Sequence, residues 1–305
     1  MTVKPEISLG PVLFNWQPEA WRDFYFRIAD EAPVGTVYVG ETICSKRAPL
    51  FSDYRDEVIE RLGKNGKTVI LSTLGQVVQK TDRNLIEDIC SETETLVEAN
   101  DVSALYALRG RPHHAGPLLN IYNEESLRLL AGKGLRSVCV PAELSATTIA
   151  SLCSAASELG IAVEVQVFGR ISLALSARCY HARAHNRTKD SCLFVCENDP
   201  DGLELTTLDR NPFLAINGVQ TMSQSYLNLI DELPELRKMG VSRFRLSPHT
   251  CDMVQAANIF RAVLDDSMTP AEAMADLEAL KPRAAFSNGF YYGRPGHIWN
   301  SANPT

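Results

Sequence analysis

The chain has 305 residues, a formal net charge of −7 and 45% hydrophobic residues, values typical of a globular protein with a full core. The acidic balance gives no sign of the basic surface that nucleic-acid binding normally requires. No apolar run approaches the roughly 18 residues of a membrane span, and the first ten residues do not resemble a signal peptide. The sequence therefore predicts a cytoplasmic protein.

In chain order, short apolar runs alternate with amphipathic segments, which is the pattern of βα units around a parallel sheet. Strands are predicted at 11–16, 36–40, 68–72, 103–107, 117–121, 137–140, 162–168 with 171–175, 203–208, 213–219 and 243–246. The main helices are predicted at 18–29, 53–62, 83–99, 146–159, 225–238 and 252–264. These elements predict one α/β domain over residues 1–305, a TIM-like barrel with an irregular tail at 286–305. A barrel that is incomplete or distorted near the cysteine-rich segment is the alternative.

Three of the eight cysteines crowd into the polar segment 176–199, with Cys179, Cys192 and Cys196 at a C-x12-C-x3-C spacing. A solitary thiol usually behaves as a small buried apolar residue, so such crowding in a polar segment points to a bound metal or cluster. Cys44 follows the second predicted strand, and groups at the carboxyl ends of barrel strands converge on one face. We therefore predict Cys44 as the fourth ligand. The remaining four cysteines have apolar neighbours and are predicted to fill the core.

Four thiolates can hold either a tetrahedral zinc or an iron–sulfur cluster, and redox-active or inert thiols are a third possibility. Structural zinc sites use paired short knuckles, whereas only one short spacing is present here. The spacing therefore favours a cluster as the metal group. Nearby cations are expected to lower the pKa of the thiols and to offset the cluster's charge. These cations are Arg178, Arg183, Arg187 and Lys189.

Four histidines are candidate functional residues, two beside the cysteines and two after a predicted strand. His181 and His185 are four residues apart beside Cys179. We interpret them mainly as hydrogen-bond partners that orient the thiolates. Proton donation or binding of a second metal is the alternative. His113 and His114 are predicted in a loop after a strand, where a barrel places substrate groups. That loop either binds an anionic aromatic substrate or is a solvated basic loop.

Three further residues near strand ends have both a functional and a structural interpretation. Glu143 and Glu164 could act as a general acid or base, but an ion pair with an arginine such as Arg170 or Arg245 is the favoured interpretation. His249 also follows a strand and is weighed as a functional residue for the same positional reason.

Several ordered motifs resemble the collagenase-like "unassigned" peptidase family over nearly the whole chain. They are Asn-Ile-Tyr-Asn at 120–123, Pro-Ala-Glu-Leu-Ser at 141–145, Glu-Val-Gln-Val-Phe-Gly-Arg at 164–170 and Ser-Ala-Arg-Cys at 176–179. Within that family, segments 178–183 and 192–197 are similar to the branch that acts in ubiquinone biosynthesis.

The resemblance implies a [4Fe–4S] cluster on Cys44, Cys179, Cys192 and Cys196. It also implies a heterodimer with a related protein, UbiU, a lipid-binding accessory partner, UbiT, and O2-independent hydroxylation of the ubiquinone ring with an organic oxygen donor such as prephenate. A non-catalytic cluster-bearing regulatory subunit is one alternative. A peptidase is another, although the sequence has no zincin or nucleophile-elbow motif and no evident Cys/His/Asn triad.

Overall fold

The computed structural model describes residues 5–301, so the ends of the predicted domain and tail, 1–4 and 302–305, lie outside it. Within the described range the strands are β1 (Glu6–Leu9), β2 (Thr36–Val39), β3 (Thr68–Ser72), β4 (Leu96–Ala99), β5 (His113–Ala115), β6 (Leu135–Val140), β7 (Ala162–Leu175), β8 (Leu203–Thr206), β9 (Pro212–Asn217), β10 (Gln220–Asn228), β11 (Arg243–Leu246) and β12 (Phe286–Ser287).

The α-helices of the same range are α1 (Pro18–Glu31), α2 (Ala48–Lys64), α3 (Lys80–Ser91), α4 (Val102–Ala107), α5 (Glu124–Ala131), α6 (Ala146–Leu159), α7 (Tyr180–Ala184), α8 (Leu233–Met239), α9 (Met253–Leu264) and α10 (Pro270–Ala279). Two 3₁₀ turns lie at Pro117–Leu119 and Val195–Asn198. In the part of the chain described, none of these helices combines the length and the hydropathy needed to cross a membrane.

Eight parallel strands form a closed barrel with the helices around it. Strands β1 to β7 pair in chain order, and β11 pairs with both β7 and β1, so that Arg243 lies opposite Glu164 on one side and Glu6 on the other. The predicted TIM-like α/β barrel is confirmed. Because the ring of strands closes, the alternative of an incomplete barrel is wrong.

The cysteine segment belongs to an excursion between the last two barrel strands. Strand β7 continues beyond the barrel to Leu175, where it pairs antiparallel with β10, and β9 and β8 extend this antiparallel sheet outward. Segment 176–199 joins β7 to β8 and therefore lies at the base of the excursion. The excursion explains why the sequence contains more apolar runs than a barrel needs.

Two predicted strands in the first half of the chain are wrong. Segment 103–107 lies in helix α4, because the side chain of Asp101 accepts a hydrogen bond from the Ser103 amide (2.8 Å) and begins a helix there. Segment 117–121 contains a 3₁₀ turn rather than a strand. The barrel instead uses β4 and β5, and β4 lies within the segment 83–99 that is predicted as a helix.

Two other predicted elements are displaced. The first strand is β1, whereas segment 11–16 is loop at its carboxyl end. The helix predicted at 225–238 begins only at Leu233, because Tyr226 and Leu227 pair with Arg170 and Gly169 of β7 in the antiparallel sheet. In this case pairing with a distant strand overrides the local helical pattern.

The tail packs on α8 and on the turn before it. Strand β12 pairs with β10, the Asn288 amide donates to Glu232 Oε1 (2.9 Å), and the Tyr291 hydroxyl donates to Glu235 Oε2 (2.8 Å). Tyr291 is buried, so this part of the tail packs into the core.

Inside the barrel, one buried arginine joins carboxylates from two other strands. Arg245 Nη2 donates to Glu98 Oε1 (2.6 Å) and to Glu164 Oε2 (2.8 Å). Ser8 and Tyr38 also donate hydroxyl hydrogen bonds to Glu164. The predicted structural ion pair of Glu164 is therefore confirmed, with Arg245 as its partner.

These contacts decide the charge state of Glu164. Burial by itself would raise the pKa of this carboxyl, but Arg245 and the two hydroxyls outweigh burial and hold the pKa below its usual value. A carboxylate with a lowered pKa stabilises the fold at neutral pH. That contribution is lost as the pH falls through the pKa of the folded state.

We expect Arg245→Met to lower the free energy of unfolding at pH 7 by about 3–5 kcal/mol, because it leaves two buried carboxylates without their cation. The loss should shrink towards pH 4.5. In the variant, burial raises the pKa of the Glu164 carboxyl once its cation is removed, so this group can fold protonated, whereas the wild type gains nothing from the lower pH. Urea unfolding of both proteins at the two pH values measures this.

Arg237→Met is the matched control, because Arg237 pairs with Asp266 at the surface. Its unfolding free energy should stay close to that of the wild type. Equal stability of the two variants at pH 7 would contradict the role given to Arg245.

Candidate functional site

The four cysteines grouped by the sequence line one small cavity, which we call the thiol cavity. Cys44 comes from the loop after β2, Cys179 precedes α7, and Cys192 and Cys196 come from the segment before β8. The excursion at the end of β7 thus brings three thiols to the fourth at the barrel rim. The remaining cysteines lie elsewhere. Cys90, Cys139 and Cys153 are buried as predicted, while Cys251 is only partly buried.

Local hydrogen bonds fix two of the thiols. The buried carboxylate of Glu41 accepts from the backbone amides of Ile43 (2.7 Å) and Cys44 (2.9 Å), which pins the loop that carries Cys44. Cys179 caps α7, and the Ala182 amide donates to its Sγ (3.3 Å). The Cys44 loop is therefore held by the Glu41 side chain, and the Cys179 sulfur by a backbone donor.

The other two thiols depend on a tight turn. Leu193 and Phe194 have φ angles of 47° and 52°, a left-handed conformation that is uncommon for residues other than glycine. This conformation leads directly into the 3₁₀ turn that contains Cys196. Lys46 Nζ donates to the Lys189 carbonyl (2.8 Å) and to Cys192 Sγ (3.7 Å), so it ties this segment to the loop of Cys44.

Arg47 is the principal cation of this cavity, and the sequence did not single it out. It is completely buried, and its guanidinium donates to the Leu13 carbonyl (3.0 Å) and to Asn217 Oδ1 (3.0 Å). The β9–β10 turn makes room for it, because a Cβ on Gly218 would lie 2.5 Å from Arg47 Nη2. Glycine at 218 is thus a condition for the buried cation.

The expected lowering of the thiol pKa values is wrong for the free thiols. Burial raises the pKa of Cys44, Cys179 and Cys196, and Arg47 opposes it only in part. The basic residues that suggested the opposite are mainly exposed, since Arg178, Arg183 and Arg187 point to solvent and Lys189 alone lines the cavity.

His181 lines the same cavity, whereas His185 is exposed. His181 Nε2 donates to the Asp199 carboxylate (2.9 Å), and the two imidazole rings stack with their centroids 5.7 Å apart. One possible ligand atom from each of His181, His185 and Asp199 lies within 4.8 Å of the others. The position of His181 suits a hydrogen-bond partner beside the thiols. For the alternative of a second metal, the candidate ligands are His181, His185 and Asp199.

His113 and His114 do not lie in a loop, because they form the buried strand β5. His113 Nδ1 donates to the Arg111 carbonyl (2.8 Å), and His114 Nδ1 is 3.2 Å from the Tyr38 hydroxyl. Burial lowers the pKa of His114 to about 4, which keeps the ring neutral. Neither histidine lines the thiol cavity.

A second cavity opens at the carboxyl ends of the barrel strands, where barrel enzymes place their active sites. This mouth cavity has a volume of about 130 Å³, and Glu98 and Arg245 of the barrel network line it together with residues after β1, β2 and β6. Glu143 stands at its rim and accepts a hydrogen bond from Tyr122. The arginine pair predicted for Glu143 is therefore wrong.

A short hydrogen-bonded chain connects the two cavities. Asn217 accepts from Arg47 at the thiol cavity and donates through Nδ2 to Gln220 Oε1 (3.1 Å). Gln220 lines the mouth cavity. Thr42 lines the mouth only two residues before Cys44, so the loop after β2 borders both spaces.

His249 has both ring nitrogens engaged. Nε2 accepts from the Arg170 backbone amide (3.0 Å), Nδ1 donates to the Asp201 carboxylate (3.2 Å), and the ring stacks on Tyr226. These contacts assign His249 a structural role in holding the start of the excursion.

Among solved structures, the chain resembles a putative fructose-1,6-biphosphate aldolase from Coccidioides immitis, with 9% identity, a TM-score of 0.40, and 91% of this chain and 87% of that chain covered. It also resembles a DAHP synthase from Thermotoga maritima, with 9% identity, a TM-score of 0.39, and 93% and 71% of the two chains covered.

The sequence comparison is more specific. The model of Peptidase family U32 matches residues 16–301, a span that includes the whole barrel after β1, the excursion and all four cysteines of the thiol cavity. The chain belongs to Peptidase family U32.

Proposed function

We propose that this protein is a UbiV-type iron–sulfur subunit, which carries a [4Fe–4S] cluster on Cys44, Cys179, Cys192 and Cys196 and takes part in O2-independent hydroxylation of the ubiquinone ring. The observation that carries the proposal is the meeting of four thiols from three separate parts of the chain around one cavity. Family membership and the motifs around these cysteines support the pathway.

The residues around the cavity fit such a cluster. A four-thiolate cluster is anionic, and the cavity supplies Arg47 as a buried cation with Lys46 and Lys189 at its wall. The Ala182 amide and Lys46 Nζ already donate to two of the sulfurs. Hydrogen bonds of this kind orient ligands and tune the potential of a cluster.

The spacing of the thiols favours a cluster over the zinc alternative. Structural zinc sites generally use short knuckles in pairs, and only Cys192 and Cys196 lie at such a spacing in this chain.

When bound, a cluster with four thiolates supplies one-electron transfer or structural support, because no iron position is left open. The chain's own residues hold it. Arg47 balances charge, the capped start of α7 fixes Cys179, and the turn at Leu193 and Phe194 directs Cys192 and Cys196. The same arrangement suits the second candidate role, a non-catalytic cluster-bearing subunit that regulates its partner.

The proposal includes partners and substrates that the resemblance implies. UbiU would form the heterodimer, UbiT would present the lipid, and the reactants would be a ubiquinone precursor and an organic oxygen donor, with prephenate as the candidate. The proposed compartment is the cytoplasm. Anaerobic co-expression with UbiU and size-exclusion chromatography should give a stable 1:1 complex, and separate elution of the two chains would contradict this part of the proposal.

Peptidase activity receives little support from the described residues. Cys251 lies next to the His249–Asp201 pair in the chain, but His249 Nε2 accepts a backbone amide and has no lone pair left to activate a thiol. Burial also raises the pKa of Cys251 to about 12. Such a thiol is a poor nucleophile at neutral pH.

Anaerobically purified wild-type protein should contain about four iron and four sulfide per chain and absorb broadly near 400 nm. Cys44→Ser should lose this chromophore as fully as Cys179→Ser, because each removes one of the four ligands. Iron and sulfide analysis with visible spectroscopy measures the outcome.

Cys251→Ser is the matched control, since this partly buried cysteine lies outside the thiol cavity, and it should keep the full iron content. A colourless wild-type protein with one zinc per chain would refute the cluster. A normal cluster in Cys44→Ser would remove Cys44 from the ligand set.

A further inference from the structure

Two imidazoles and one carboxylate meet beside the thiol cavity, on the two elements that carry its cysteines. His181 belongs to α7, His185 follows the last residue of that helix, and Asp199 follows the 3₁₀ turn at Val195–Asn198. One possible ligand atom from each lies within 4.8 Å of the others. Imidazole nitrogens and a carboxylate oxygen are ligands that zinc accepts, and zinc sites with three protein ligands keep a fourth position for water.

Two of the three ligand atoms already have nearly the separation that an ion requires. His181 Nε2 and Asp199 Oδ2 are 2.9 Å apart. Two ligands of one tetrahedral zinc ion lie about 3.3–3.5 Å from each other, so these atoms need to separate only slightly to admit the ion.

His185 can reach the same ion by a rotation of its side chain. It lies four residues after His181, a spacing that places two side chains on one helix face. The His185 ring is exposed and stacks on the His181 ring, with the centroids 5.7 Å apart. The backbone therefore does not have to move for the third ligand to bind.

An unpaired buried nitrogen favours an ion over a simple hydrogen bond at this place. His181 is fully buried, and while its Nε2 donates to Asp199, its Nδ1 is an acceptor with no hydrogen-bond partner within residues 5–301. Buried polar atoms are normally paired, and an unpaired one is costly.

An ion on Nε2 removes this defect. A neutral imidazole carries one proton, so an ion bound at Nε2 leaves the proton on Nδ1, which then becomes a donor. His181 lines the thiol cavity, where the sulfurs are acceptors. A metal-bound histidine usually donates its other N–H in this way.

The donor set and its exposure indicate which ion fits. Imidazole suits zinc, whereas magnesium and calcium prefer sites made of oxygen ligands alone, and zinc binds a given nitrogen and oxygen site more tightly than manganese or ferrous iron. The side chain of Asp199 is 26% exposed and His185 is exposed, so water can reach the fourth position.

We propose that His181, His185 and Asp199 bind one Zn²⁺ ion, which clamps α7 to the 3₁₀ turn before β8. Cys179 immediately precedes α7 and Cys196 lies within the turn, so the ion fixes both ends of the cysteine segment. This inference goes beyond the proposed function, because the ion has its own ligands and binds whether or not the thiols carry a cluster.

Titration of the anaerobically purified, iron-loaded full-length chain with Zn²⁺ tests the site. Calorimetry should show one bound ion per chain. X-ray absorption at the zinc edge should show nitrogen and oxygen ligands at about 2.0–2.1 Å and no sulfur at about 2.3 Å. Zn²⁺ should also raise the temperature of thermal unfolding, because the ion binds the folded chain.

Two variants each remove one ligand, and neither side chain is buried. His185→Gln and Asp199→Asn should lower the Zn²⁺ affinity about tenfold or more and abolish the rise in unfolding temperature. The asparagine still accepts a hydrogen bond from His181, so a structural hydrogen bond alone does not predict this loss.

The matched controls are an exposed histidine and an exposed aspartate outside the ligand set. His297→Gln lies in the tail, and Asp190→Asn lies in the same segment as the site. Both variants should bind Zn²⁺ as tightly as the wild type.

Absence of zinc binding, or zinc held by sulfur alone, would overturn the inference. So would ligand variants that bind Zn²⁺ like their controls. If circular dichroism shows that Asp199→Asn does not fold, the exposed pair His185→Gln and His297→Gln decides the result. Iron analysis of the same samples separates the two proposals, since protein that lacks iron but binds zinc through His185 would contradict only the cluster.

Discussion

The contact on which the structure most depends is the bridge from Arg245 to Glu98 and Glu164. Arg245 lies on β11, the strand that closes the barrel, and its partners lie on β4 and β7. Three charges buried together are tolerated only when all of them are paired, so the network fixes how these strands meet. It also forms part of the floor of the mouth cavity, because Glu98 and Arg245 both line that space.

Arg47 has a comparable role at the second cavity. The barrel alone would leave Cys44 as a single thiol at the rim, and the excursion after β7 supplies the other three. Arg47 joins the two parts, since it reaches a carbonyl of the loop after β1 and Asn217 at the end of β9. Asn217 then contacts Gln220, so the positions of residues at the thiol cavity and at the mouth depend on one another.

Local signals explain what could be predicted from the sequence. Helix α6 and strand β11 agree residue for residue, because Ser145 caps the helix and Gly160 ends it with a φ of +66°. Strand β5 could not be predicted in this way, since His113–Ala115 has no strand pattern of its own and pairs with β4 and β6 only within the barrel. The cysteines were grouped by spacing and strand position. Arg47, the Leu13 carbonyl and Asn217 come from separate parts of the chain, so only the folded chain brings them together.

The central claim is that the four thiols hold one [4Fe–4S] cluster, and anomalous diffraction from anaerobically grown crystals tests it most directly. Data collected at the iron absorption edge should show iron density enclosed by the sulfurs of Cys44, Cys179, Cys192 and Cys196. A single peak at the zinc edge in that position, or iron bound elsewhere in the chain, would contradict the account.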